Sequence, residues 1–217
     1  MSTLKTQTLD EVRPAAPAAA ESREITELVD RAKAGDALAF EGLMRLYERR
    51  VILLGMQMGL SREDALDTCQ ETFVKVFRYI GRFRSGESFF KWLYRIAIHA
   101  IYDQLRKSRA AGMVSIEEIA PEEAARLAGA TPSLARRVEA ADLAAKVLEG
   151  MTGLTRRERV IFVLRDLHEM STQEIGGILR LSQITVRRHC TSARQKLRER
   201  LFSPVSERSR ELGSSSD

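Results

Sequence analysis

Apolar residues recur three and four positions apart from Glu24 to about Arg106, in segments interrupted at "AGDA" (34 to 37), "MGLS" (58 to 61) and "IGRFRSGES" (80 to 88). Such spacing lines one face of a helix, and the glycine-containing breaks end each segment, so this part predicts roughly four helices packed as a bundle. The pattern then fails from Ser108 to Arg136, where Gly112, Pro121, Gly129 and Pro132 lie among small and acidic residues. A second helical set follows at Val138 to Met151, Arg156 to His168, Thr172 to Leu179 and Ile184 to about Leu201. No strand-like alternation of useful length occurs. The expected fold class is therefore all-α: two small helical domains joined by a flexible linker, the second containing a helix-turn-helix. The expected division is a disordered tail at 1–21, a helical domain at 22–107, a linker at 108–136, a second domain at 137–202 and a disordered tail at 203–217.

Composition narrows the class. A chain of 217 residues that is 44% hydrophobic and 30% charged can bury a core, and its net charge of +5 favours an anionic partner. Cys69 and Cys190 lie far apart at apolar helical positions, so no disulfide, zinc site or other metal site is expected. No apolar run approaches a membrane span and no signal peptide opens the chain, which predicts a cytoplasmic protein without membrane insertion. Three histidines (His99, His168, His189), without metal-ligand spacing, a phosphate loop or a nucleophile motif, point away from an enzyme and from any cofactor.

The most specific local pattern is "STQEIGGILRLSQITVRRHCTSARQKLRERL", from Ser171 to Leu201. Ile175, Ile178 and Leu179 form one short apolar face. Gly176 provides room for close approach, "RLS" supplies a turn, and Val186, Cys190, Ala193 and Leu197 form the buried stripe of a second helix. That is the layout of a helix-turn-helix, whose second helix enters the major groove of duplex DNA. Basic residues Arg180, Arg187, Arg188, Arg194, Lys196, Arg198 and Arg200 outnumber the acids there, with Glu199 alone against them. Gln183, Thr185, Arg187 and Arg188 begin that helix, where side chains reach bases; Arg194 and Lys196 lie further along, suited to phosphates.

In "SREDALDTCQETFVKVFRYI" the expected core stripe is Leu66, Cys69, Phe73, Val76, Phe77 and Ile80. Asp64, Asp67 and Glu71 project from the opposite face, either solvated or set against a basic protein surface. In "SFFKWLYRIAIHAIYDQLRK" the helical wheel puts Leu93, Ile96, Ala97, Ala100 and Ile101 on one side and Trp92, Arg95, His99, Tyr102 and Arg106 on the other. Aromatics interleaved with cations suit unpaired nucleotides, which offer both π-faces and phosphates. The preceding loop adds Arg82, Phe83 and Arg84. The alternative is packing: Phe89, Phe90 and Tyr94 as core, with Trp92 half-buried against a neighbouring helix.

Together these motifs resemble the bacterial RNA polymerase sigma factors of the sigma-70 family, specifically the small two-domain extracytoplasmic-function (ECF) group. The resemblance rests on "EDALDTCQETFVKVF", "FRSGESFFKWLYRIAIHAIYDQLRK" and "LTRRERVIFVLRDLHEMSTQEIGGILRLSQITVRRHCTSARQKLRERL", in the family's order. It implies docking on core RNA polymerase, at the β′ coiled-coil and β flap, with Asp64, Asp67, Gln70 and Glu71 on the β′ coiled-coil. It implies a region 2 domain that opens the minus-ten promoter element and captures the melted non-template strand, through Arg82, Phe83, Arg84, Lys91, Trp92, Arg95, His99, Tyr102 and Arg106. A region 4 domain would read the duplex minus-thirty-five element through Thr172, Gln183, Thr185, Arg187, Arg188, Arg194 and Lys196. An anti-sigma factor is a further partner the family implies.

Four positions depart from the family pattern. His99 stands where Asn is usual, His189 and Ser192 where Arg is frequent, and Arg180 where the helix-turn-helix turn commonly has Gly. A left-handed conformation at Arg180 would cost about 1 to 2 kcal/mol. The competing functional reading is a helix-turn-helix regulator with a helical sensor or dimerisation domain, which would bind a palindromic duplex without polymerase.

Overall fold

The computed structural model describes residues 23–84, 86–110 and 146–202, and among them every regular element is helical. The expected tails at 1–21 and 203–217, residues 111–136 of the expected linker and the start of the helix expected from Val138 lie outside the described residues.

Helix α1 (Arg23–Lys33) packs Ile25, Leu28, Val29 and Ala32 inward, at the expected helical spacing. Asp36 then starts α2 (Ala37–Gln57): its Oδ1 accepts from the amides of Leu38 and Ala39 at 3.0 and 3.1 Å, while Arg31 holds Oδ2 at 2.6 Å. Those contacts satisfy amide donors that a helix start otherwise leaves open. Along α2 the buried line runs Ala39, Leu43, Tyr47, Val51 and Leu54, and near its C-terminus the helix is buried all round, from Leu53 to Gln57.

Helix α3 (Arg62–Tyr79) is capped by Ser61, whose hydroxyl accepts from the Asp64 amide at 3.1 Å. Its buried arc is Ala65, Thr68, Cys69, Thr72, Phe73 and Val76, continuing to Ile80. Two residues expected in this stripe are outside it: Leu66 is 39% and Phe77 65% exposed. The reason is the closeness of α2 and α4, which selects the small Ala65, Thr68 and Thr72 for the seam and leaves the bulkier pair on its outer edge, Phe77 edge-on against Phe40 at 5.1 Å. A 3₁₀ turn (Ile80–Arg82) leads to α4 (Phe89–Ala110), which runs through Ser108 into the stretch expected to be linker. Phe89, Phe90, Leu93, Tyr94, Ala97, Ala100 and Ile101 are buried along it.

In the C-terminal half, helical residues 146–150 and a 3₁₀ turn (Met151–Gly153) precede α5 (Arg156–Phe162). The segment expected to be one helix to His168 changes to a π-helical turn at Val163–Leu167. Helix α6 (Thr172–Leu179) and α7 (Gln183–Phe202) complete the half. Thr155 with Glu158, and Ser171 with Glu174, form reciprocal capping boxes at α5 and α6. Arg180 ends α6 in the left-handed region (φ 54°, ψ 48°), the conformation for which a glycine is the unstrained choice. A Cβ at Gly176 would fall 2.7 Å from the Leu181 carbonyl oxygen, so the turn between α6 and α7 closes only over a glycine.

The halves do not stand apart. One continuous apolar cluster runs from Val29 to Leu197, and α4 lies against α6. Arg159 from α5 donates through Nη1 to the Met58 carbonyl at 2.9 Å and through Nη2 to the Met151 carbonyl at 2.7 Å, bridging the halves.

Candidate nucleic-acid interface

The face of α4 opposite its core stripe forms one wall of a cleft of about 700 Å³. Arg95, His99, Tyr102 and Arg106 line it from α4, and Arg156, Arg157 and Arg180 from the other half. A concave surface so rich in guanidinium groups is electrostatically suited to phosphates. His99 donates from Nδ1 to the Arg95 carbonyl at 2.6 Å, and Arg106 pairs with Asp103.

Part of this wall is engaged by the other half. Arg95 donates to the Gly177 carbonyl at 3.1 Å, the Tyr102 hydroxyl to the Arg156 carbonyl at 3.3 Å, and Lys91 meets Glu174 at 3.4 Å. Burial pushes the Tyr102 phenol up to about 12. Trp92 is half-buried, tilted against Phe83 at 5.4 Å and Phe89 at 5.8 Å. Phe83 is buried and edge-on to Phe89, so in this conformation it packs the wall of the loop and presents no open face. Arg82 and Arg84 are exposed, Arg82 lying 5.3 Å over the Tyr79 ring. Of the aromatics in "SFFKWLYRIAIHAIYDQLRK", Phe89, Phe90 and Tyr94 belong to the core, as the packing reading has it.

The carboxylates of α3 divide. Asp67 and Gln70 are exposed, and Glu71 pairs with Lys75 one turn on, at 2.7 Å. Asp64 instead faces α4: Gln104 donates to its Oδ1 at 2.6 Å and Ser108 to its Oδ2 at 3.5 Å.

On α7 the stripe Val186, Cys190, Ala193 and Leu197 is buried, as the periodicity predicts. Both cysteines are free and buried, and burial pushes the Cys69 thiol up to about 12. Gln183, Arg187 and Arg188 are exposed at the start of α7, whereas Thr185 turns back to Ser182 at 2.8 Å. Thr172 is partly buried at the start of α6. Arg194 donates to Asp166 from both Nε (3.0 Å) and Nη2 (2.5 Å), and Lys196 grips Glu158 at 2.8 and 2.9 Å. Ser192 adds a 2.7 Å hydrogen bond to Glu158, so a residue standing where arginine is frequent serves an internal contact here.

The sequence did not single out Glu158, Gln57 or His168 as structural centres. Burial alone would raise the Glu158 pKa, but hydrogen bonds from Lys196, Ser192 and Thr155 hold it down to about 2. Its capping role is legible in "TRRE", but its pairing across to α7 depends on tertiary placement. His168, fully buried, bridges the halves: the Tyr94 hydroxyl donates to its Nδ1 at 2.9 Å, and its Nε2 donates to Gln57 Oε1 at 2.9 Å. Burial, reinforced by the Arg50 charge, pushes the imidazole down to about 3. No described helix is long and apolar enough to cross a membrane.

Comparison with known proteins gives this arrangement a family. Residues 43–111 match Sigma-70 region 2 and residues 150–199 match Sigma-70, region 4. The ECF RNA polymerase sigma factor SigM of Mycobacterium tuberculosis strain H37Rv is 27% identical over 175 residues, covering 81% of this chain and 83% of that protein. The ECF RNA polymerase sigma factor SigW of Bacillus subtilis is 28% identical over 182 residues, covering 82% and 96%. Among solved structures, CnrH in complex with the cytosolic domain of CnrY shares the fold at a TM-score of 0.59 and 24% identity, over 89% of this chain and 99% of that one. The sigma factor RpoE of Bartonella quintana, solved with the anti-sigma factor NepR, gives 0.57 and 17%, over 76% and 98%. With both sigma regions in order on one all-helical chain, and relatives of that kind along most of its length, the protein belongs to the ECF group of sigma-70 family sigma factors and serves in promoter recognition.

Proposed function

We propose that this chain joins core RNA polymerase in the cytoplasm, directs it to a specific set of promoters and assists their opening, with the chemistry left to the polymerase. Residues 22–107 act as the unit that docks and melts, and residues 137–202 as the unit that reads duplex DNA. Asp67, Gln70 and Glu71 supply the surface for the β′ coiled-coil, with Asp64 bracing it through Gln104 and Ser108. Arg82, Arg84, Lys91, Trp92, Arg95, His99, Tyr102 and Arg106 hold the melted non-template strand of the minus-ten element, with Phe83 supporting Trp92. The α7 surface reads the minus-thirty-five duplex, placing the β flap beside it. The observation that carries this reading is the aromatic and cationic face of α4 on the same chain as an exposed recognition helix.

On this reading the closed arrangement has a consequence. Arg95 and Tyr102 already bond to Gly177 and Arg156, so strand capture requires the halves to part. Once they have parted, a tether keeps the second unit at high effective concentration after the first has engaged, and joint occupancy selects correctly spaced elements. The free closed chain is also the form that an anti-sigma factor would hold shut, the kind of partner with which the sigma factor RpoE was solved. Run-off transcription with purified core polymerase over a genomic promoter library tests the proposal: specific start sites that appear only when the chain is added support it. The palindrome-binding regulator predicts tight duplex binding without polymerase and no start sites; the family assignment does not favour it.

A further inference from the structure

Within the duplex-reading role proposed above, on which this inference rests, Ile184 of α7 has no assignment. Ile184 is 78% exposed, more than any other large exposed apolar side chain among the described residues. A single exposed aliphatic is ordinary on a protein surface, but the placement of this one is specific. Relative to the buried stripe of Val186, Cys190, Ala193 and Leu197, the opposite side of the wheel is Ile184, Arg188, Thr191 and Gln195, at i, i+4, i+7 and i+11. All four residues of that line are exposed, and Ile184 and Arg188 lie in the first two turns of the helix.

A β-branched residue contributes little to helix stability at such a site, and it can make no hydrogen bond to phosphate or base edge. In the major groove one base offers an apolar partner, thymine, through its C5 methyl group. Arg187 and Arg188 flank the same end, both exposed, so the charge around Ile184 is complementary to duplex DNA. One turn separates Ile184 from Arg188, about 6 Å of helix rise. That is close to two base steps at about 3.4 Å each.

We propose that Ile184 is a specificity-determining residue that contacts a thymine C5 methyl group in the distal promoter element, with Arg188 reading a guanine about two base pairs away. Thr191 extends the same line, while Thr185, tied to Ser182, stabilises the helix start.

The test uses holoenzyme assembled from the full chain and core polymerase, on a promoter at which it initiates. Each thymine of the distal element is replaced in turn by deoxyuridine, which removes only the methyl group. Wild-type holoenzyme should lose affinity at one position by about 4-fold, as expected for one buried methyl. Ile184→Ala should abolish that dependence at that position alone, and Ile184→Val should keep most of it. The inference is overturned if Ile184→Ala retains the wild-type dependence, or if no thymine shows any. A holoenzyme that initiates normally without methyl dependence overturns only this inference, whereas failure to initiate at any template overturns the functional reading as well.

Discussion

The Tyr94 hydroxyl of α4 donates a 2.9 Å hydrogen bond to His168 Nδ1, joining side chains 74 positions apart across the two halves of the chain. The rings meet edge to face at 5.5 Å, and His168 continues the line to Gln57 of α2. Closure of the molecule thus has a polar centre inside an apolar seam. Tyr94→Phe would leave His168 Nδ1 buried without its donor, a loss of about 1 to 3 kcal/mol. The expected outcome is a lower denaturant midpoint and a larger radius of gyration in small-angle scattering of the free chain. An unchanged radius and midpoint would show that this contact does not hold the halves together.

Acid should open the molecule, and the groups responsible can be separated by pH. His168 is held down to about 3 against an ordinary 6.5, so as pH falls below 6.5 the unfolded chain takes up a proton that the folded chain refuses. Stability therefore declines as pH falls through this window toward 3, by up to about 1.4 kcal/mol per pH unit, and is unaffected by this group above it. Glu158 has its pKa depressed from 4.5 to about 2; its contribution is present above 4.5 and lost as pH falls toward 2. Urea unfolding from pH 7 to pH 2 should show the decline beginning near 6.5. His168→Gln should remove its upper part, between 6.5 and 4.5, and leave the acid limb.

Two classes of cation on α7 should respond differently. Lys196 is bound to the buried Glu158, whereas Arg187 is exposed at the start of the helix. Arg187→Ala is expected to weaken duplex binding and reduce the salt slope by about 1, with little change in thermal stability. Lys196→Met should lower the melting temperature, since Glu158 loses a charged partner, while largely preserving the salt slope. Salt titration of holoenzyme binding beside calorimetry distinguishes the two. A reduced slope for Lys196→Met would mean that it exchanges Glu158 for phosphate on binding.

The acidic helix α3 offers a similar contrast. Asp67→Arg reverses an exposed charge and should weaken capture of core polymerase about 10-fold or more without loss of stability. Asp64→Ala removes the acceptor for Gln104 and Ser108, so its first effect should be on unfolding. Pull-down of core polymerase with matched melting curves checks both.

What could be read from the chain, and what could not, follows from the range of the interactions. Helix periodicity is local, so the stripe of Val186, Cys190, Ala193 and Leu197 was legible, as were the buried cysteines and the Gly176 approach. The left-handed Arg180 was legible because the turn demands that conformation whatever residue fills it. Leu66 and Phe77 misled because the edge of the seam depends on how closely α2 and α4 approach. Arg194 and Lys196 suit phosphate contact by charge and position, and nothing local reveals that they pair with Asp166 and Glu158 in the closed chain. The contact of Tyr94 with His168 joins two separately periodic halves, which no window along the sequence can show.

The central claim is that the outer face of α4 holds unpaired promoter bases once the halves have parted, and permanganate reactivity of promoter thymines tests it most directly. With wild-type holoenzyme the proximal element should become reactive. With Tyr102→Ala, reactivity there should fall by about 10-fold while a mobility shift on the distal duplex is retained. Full reactivity with that variant would contradict the account.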